Sequence, residues 1–105
     1  MRNHKKRVMK KLGLLATLKA KSGKESEVES FIKGAVELAL QEDKTLTWYS
    51  FKIDKNTFGI FDTFETEEGR DAHLNGDIAK ALMENADRLL AVDPKIEKID
   101  ILASK

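Results

Sequence analysis

Cysteine and histidine, the side chains most versatile in nucleophilic, metal and proton-transfer chemistry, are scarce in this 105-residue sequence. There is no cysteine, which excludes thiolate nucleophiles, thiolate metal sites and disulfides. Only two histidines are present, His4 and His73, so no metal is expected to be held by a multi-histidine set within one chain. His73 is the natural candidate for moving a proton, because an imidazole titrates near about pH 6.5, close to working pH. Asp62 is the second candidate: it interrupts an apolar strand-like run, where burial would raise its pKa and keep it protonatable. Arg70 lies three residues before His73 and so on the same side of a helix. The six glycines are scattered, with no phosphate-cradling loop, and no Gly-x-Ser-x-Gly elbow occurs.

These residues sit in elements that the periodicity marks out. Lys11–Ala20 is β-compatible and stops at Lys21-Ser22-Gly23. Ser22 and Glu25 have the spacing of a capping box. Val28, Phe31, Ile32, Ala35, Val36 and Ala39 then form an apolar stripe at helical spacing, predicting a helix over Lys24–Gln41. Thr45–Ile53 and Thr57–Phe64 are rich in aromatic and β-branched residues and flank Asp54-Lys55-Asn56, a β-hairpin. With Ile53 opposite Phe58, one hairpin face collects Tyr49, Phe51, Ile53, Phe58, Ile60, Asp62 and Phe64, and packs under helices. The other face holds Trp48 and Phe61 among polar residues, uncovered by any helix. Thr66 reads as an N-cap followed by Glu67 and Glu68 at the positive end of the helix dipole. That short helix stops at Asn75-Gly76, Asp77 caps another with stripe Ile78, Ala81, Leu82, Ala86 and Leu89, and Asp93-Pro94 ends it. Ile96–Ala103 is the fourth strand. The order β-α-β-β-α-α-β predicts an α+β, ferredoxin-like sandwich with a four-stranded antiparallel sheet, its helices on one face.

The length allows one domain and one core, read as residues 11–105, with residues 1–10 a basic tail. Arg2, Lys5, Lys6, Arg7, Lys10 and Lys11 crowd the start without an acid among them. They leave 13 basic against 18 acidic side chains for the rest. The tail reads either as a solvated extension or as an electrostatic handle for nucleic acid or anionic lipid. It lacks the apolar core of a secretory signal, and no run is long enough to cross a bilayer. A cytoplasmic location and no membrane partner are therefore expected.

The stretch Thr45-Leu46-Thr47-Trp48-Tyr49, Phe58-Gly59-Ile60-Phe61-Asp62-Thr63-Phe64, Arg70-Asp71-Ala72-His73-Leu74 and Ile78-Ala79-Lys80-Ala81-Leu82 resembles the antibiotic biosynthesis monooxygenase domain family. With the flanking elements the resemblance spans about residues 11–103. It implies a homodimer in which two sheets meet at their helix-free faces as a dimeric α/β barrel. It also implies a pocket inside each subunit between sheet and helices. Some relatives oxygenate quinols or anthrones with O2 and without metal or flavin, some degrade haem, and some isomerise small sugar-like signals. The haem branch uses a strand-one asparagine, a tryptophan in the short helix and a later histidine as iron ligand. Here the first strand has no asparagine, His73 stands at the tryptophan place and Leu82 at the ligand place, so that machinery is missing.

The cofactor-free branch needs a base to deprotonate a phenol, a dry cavity, and charge stabilisation for the phenolate. On this reading His73 and Asp62 are catalytic, Asp62 either orienting the imidazole or taking the proton. Tyr49, Phe51, Phe58 and Phe64 line the substrate pocket, Arg70 neutralises the anion, and Trp48 and Phe61 form the dimer surface. A structural reading runs beside each: a hydrogen-bonding histidine, an aspartate paired with Tyr49 or His73, aromatic core residues, a solvated arginine. A non-catalytic ligand-binding or structural dimer fits the same pattern. An RNA-recognition module shares the fold and has similar strand aromatics. It is disfavoured, and no nucleic-acid partner expected, because the folded body carries excess acid and few open-face aromatics.

Overall fold

The computed structural model describes residues 9–105. The basic tail expected over residues 1–10 therefore lies, for residues 1–8, outside the described residues. Eight elements follow one another: β1 (Leu12–Lys19), α1 (Glu25–Gly34), α2 (Val36–Ala39), β2 (Thr45–Asp54), β3 (Thr57–Phe64), α3 (Glu67–Leu74), α4 (Asp77–Leu89) and β4 (Lys95–Asp100). The strands form one antiparallel sheet in the order β2-β3-β1-β4, the ferredoxin-like arrangement with β3 and β1 in the middle. Among the described residues no helix is long and apolar enough to cross a membrane.

Local chemistry explains most boundaries. β1 ends in a turn where Gly23 adopts φ 87°, a left-handed conformation that costs glycine little. The Ser22 cap does not form. Lys24 occupies the N-cap position without a side-chain bond, and Glu25 Oε1 accepts from the Gly23 N–H at 2.9 Å instead. The long first helix breaks at Ala35, directly after Gly34, a weak helix former. Thr66 does cap α3, its hydroxyl accepting from the Gly69 N–H at 3.1 Å. Gly76, rather than Asp77, is the N-cap of α4. β4 ends at Asp100, short of Ala103.

The hairpin register departs from expectation. Near the turn Asp54 faces Thr57, as a two-residue loop requires, but Ile53 is an extra residue that shifts the pairing by one. From there Lys52 faces Phe58, Ser50 faces Ile60 and Trp48 faces Asp62. A one-residue slip sends each β2 side chain to the opposite face. Trp48 therefore lies under the helices, packed against both clusters of the core, and is not on the dimer surface assigned to it. Tyr49 and Phe51 move to the helix-free face, where they are 57% and 36% exposed.

The core lies between sheet and helices. Leu18, Phe58, Ile60, Val28, Ile32, Leu82, Ala86 and Leu89 pack as one cluster, and Ala35, Ala39 and Ile78 as a second. The helix-free face is flattened by two ring-over-glycine contacts. A methyl group on Gly59 would overlap the Phe51 ring, and one on Gly13 would come within 2.9 Å of Phe61.

Candidate active site

Strand β3 carries Asp62 in the middle of the sheet, flanked in register by Leu14 on β1 and Trp48 on β2. All three face the helices, so the carboxylate is 1% exposed. The Thr66 cap sets the start of α3, and two turns later the helix delivers His73 over Asp62. His73 Nε2 lies 2.9 Å from Asp62 Oδ2, a close ion-pair contact short of an aligned hydrogen bond. Its other nitrogen, Nδ1, donates to Glu42 Oε1 at 2.7 Å. Phe64 packs against the imidazole with ring centroids 5.4 Å apart. The imidazole is thus held between two carboxylates from elements distant in sequence.

Burial and charge compete at this triad. Desolvation alone would lower the His73 pKa, but the contacts with Asp62 and Glu42 outweigh it and push the value up to about 8. His73 therefore keeps both ring protons at neutral pH. Burial pushes the Asp62 carboxyl up, opposed by the imidazolium beside it. Asp62 Oδ1 has no hydrogen-bond partner among the described residues, and neither has the indole Nε1 of Trp48, its cross-strand neighbour. An orphaned acceptor and an orphaned donor on the same sheet face are costly unless something else satisfies them.

Asp62 and His73 are the sole polar side chains lining a cavity of about 40 Å³ between sheet and helices. The rest of its wall is Leu14, Ala16, Ile60, Leu74, Ile78, Ala79, Leu82 and Ile96. An apolar cavity of about 150 Å³ accommodates benzene, so an aromatic ring would enter only by displacing wall residues. The half-buried Leu74 and Ala79 and the exposed Ile96 mark the side where that is easiest. His73 also borders an outer groove of about 420 Å³, where it is joined by Glu42, Asp43, Lys44 and Asp77.

The structure brings together Asp62 and His73, with Phe64 packed on the imidazole but not lining the cavity as expected, and leaves the other expected site residues elsewhere. Tyr49 and Phe51 lie on the far face of the sheet, with Phe61. Phe58 is in the core, 1% exposed, away from the cavity wall. Arg70 is neither solvated nor at the cavity: its Nη1 donates to the carbonyls of Gly13 at 3.3 Å and Ile99 at 3.4 Å, clasping β1 to β4. Glu42 was missed, because the acidic turn Glu42-Asp43-Lys44 reads as a solvated connection. Its sequence position carries no sign of a partner 31 residues away.

No family model matches the sequence, and no curated protein matches it. Solved structures do. A Nitrosomonas europaea protein of unknown function, NE2512, is 47% identical, with 94% of this chain and 96% of that chain covered and a TM-score of 0.91. A candidate antibiotic biosynthesis monooxygenase from Caulobacter crescentus is 20% identical, with 91% and 93% covered and a TM-score of 0.75. A second such candidate, from Nitrosomonas europaea, is 13% identical, with 88% and 99% covered and a TM-score of 0.78. At the two lower identities the likeness is one of fold.

Proposed function

Because this chain belongs to the family of the Nitrosomonas europaea NE2512 protein and has the antibiotic biosynthesis monooxygenase fold, we propose that it is a cofactor-independent monooxygenase of a small quinol-like or anthrone-like substrate. The observation that carries this reading is Asp62: a buried carboxylate, paired with a cationic imidazole, with one oxygen unpartnered beside an otherwise apolar cavity. Burial raises its proton affinity toward that of a useful base, and the cavity excludes water from the anion that forms.

On this reading Asp62 takes the phenolic proton and the His73 imidazolium offsets the negative charge on the phenolate oxygen. The electron-rich phenolate reduces dioxygen. One oxygen atom bonds to the ring carbon, and the other leaves as water with two hydrogens from the substrate. No further reductant is required. The base role falls to Asp62 because an imidazole that titrates at about 8 is already protonated at neutral pH. The helix-free face, carrying Tyr49, Phe51 and Phe61, supports a homodimer closed at that face.

The test is oxygen uptake on a panel of quinols and anthrones without added metal or flavin. The native protein should consume oxygen with at least one of them. Asp62→Asn should lower turnover by roughly a hundredfold or more, the scale of a positioned proton acceptor, and His73→Ala should do likewise. Undiminished turnover in Asp62→Asn, or no uptake on any compound by the native protein, would sink the proposal.

A further inference from the structure

We propose that Glu42 is a positioning residue of this site: from the outer groove it fixes the His73 ring and holds it as an imidazolium, leaving Asp62 free to accept the substrate proton. The inference rests on the monooxygenase reading for its purpose, but its geometry stands apart from it. Glu42 Oε1 accepts two hydrogen bonds, from His73 Nδ1 at 2.7 Å and from the Thr45 hydroxyl at 2.7 Å, so the carboxylate is aimed before any ligand arrives. The backbone leaves room for it at Gly76. A methyl group there would come within 3.2 Å of Glu42 Oε2 and 3.3 Å of the His73 carbonyl oxygen.

Glu42 lies in the connection before β2, Asp62 on β3 and His73 on α3, so three separate elements converge on one imidazole. The two carboxylates differ in situation. Asp62 is 1% exposed and lines the inner cavity, whereas the Glu42 side chain is 20% exposed and lines the outer groove. An imidazolium whose Nδ1–H is hydrogen-bonded to Glu42 presents its Nε2–H to Asp62. With a single carboxylate partner, the ring would share its charge with Asp62 alone and lower that residue's affinity for a proton. With two, Glu42 supplies the counter-charge from the solvent side. The other charged groups lining the groove are Asp43 and Lys44 beside Glu42 and Asp77 at the start of α4; Arg70, one turn before His73 on α3, has its Nη1 bonded to the Gly13 and Ile99 carbonyls instead. Glu42 is the carboxylate among the groove residues that reaches Nδ1.

Two measurements on Glu42→Gln test this, with Glu42→Asp as the conservative partner. The first is an NMR titration of the His73 ring without substrate. The midpoint should fall by roughly one to two pH units in Glu42→Gln, the size of a lost neighbouring charge, and recover partly in Glu42→Asp. An unchanged midpoint would overturn the proposal whatever the protein oxidises. The second is oxygen uptake on an active phenol at about pH 6 and about pH 8, either side of the shifted midpoint. Glu42→Gln should come within about twofold of the native kcat at the lower pH and fall roughly fivefold to fiftyfold below it at the higher, as the imidazolium disappears. Equal loss at both pH values would reduce Glu42 to a structural role. A lowered midpoint in a protein that oxidises no phenol would instead refute the monooxygenase reading and leave the positioning of His73 standing.

Discussion

His73 is pulled two ways: burial among Phe64, Leu74 and Ile78 favours the neutral ring, while Asp62 and Glu42 favour the cation. Charge wins, and the folded-state pKa of about 8 exceeds the unfolded value of 6.5. A group whose pKa is raised by folding stabilises the native state while it is protonated. That stabilisation is complete below the unfolded pKa and disappears as pH rises through the folded one. The difference corresponds to roughly 2 kcal/mol of unfolding free energy lost between about pH 6 and about pH 9. Urea denaturation at the two pH values should read this loss, and His73→Gln, which cannot titrate, should flatten most of it. A pH-independent native stability across that window would mean that the imidazole is not held as a cation. Asp62 acts in the same direction lower on the scale, since its raised pKa makes ionisation costly as pH leaves the acid range.

At the scale of elements, the strand β2 decides what the sheet presents on each side. The extra residue Ile53 leaves the turn register intact and reverses the strand beyond it, and a second extra residue, Leu46, shifts the pairing by one more at the far end, where Thr45 faces Phe64. Between these irregularities Trp48 turns inward to meet Ala35, Ala39 and Ile78, and Phe51 turns outward to lie across Gly59. A side chain at position 59 would displace that ring. Gly59→Ala should therefore cost about 1–3 kcal/mol of stability, the usual cost of overpacking. The same substitution should cost clearly less in a Phe51→Ala background, because the two residues share one space. Equal costs in both backgrounds, measured by denaturant titration, would mean that the ring does not rest there.

At the scale of the molecule, one sheet face is covered by α1 to α4 and the other is bare. Pleating brings Leu15, Tyr49, Phe51, Phe61 and Ile99 to the bare side, flattened by the glycines beneath two of the rings. Three aromatics there are more than the sequence-derived register allotted, which favours occupation of the face. On the proposed reading the occupant is a second copy; the excess of acidic side chains over residues 12–105 disfavours a nucleic acid there. Sedimentation at micromolar concentration should give twice the chain mass of 11.9 kDa. The double substitution Tyr49→Asp with Phe61→Asp should return the chain to a monomer without unfolding it. A stable native monomer, or salt-sensitive RNA binding lost in Phe61→Ala, would assign the face to another partner.

The periodicity of this chain determined its element order, because helical stripes, strand alternation and the Thr66 cap are local and repeat within a few residues. Residue type and the family resemblance together singled out Asp62 and His73, a carboxylate in an apolar strand and a histidine on a short helix eleven residues on. Tertiary structure decided the rest. A single inserted residue, Ile53, exchanged the positions expected for Trp48 and for Tyr49 and Phe51, since the backbone can absorb a bulge that the apolar pattern does not mark. Arg70 found backbone carbonyls rather than an anion, and Glu42 found His73, contacts that exist only once β1, β3, α3 and the turn before β2 have packed together.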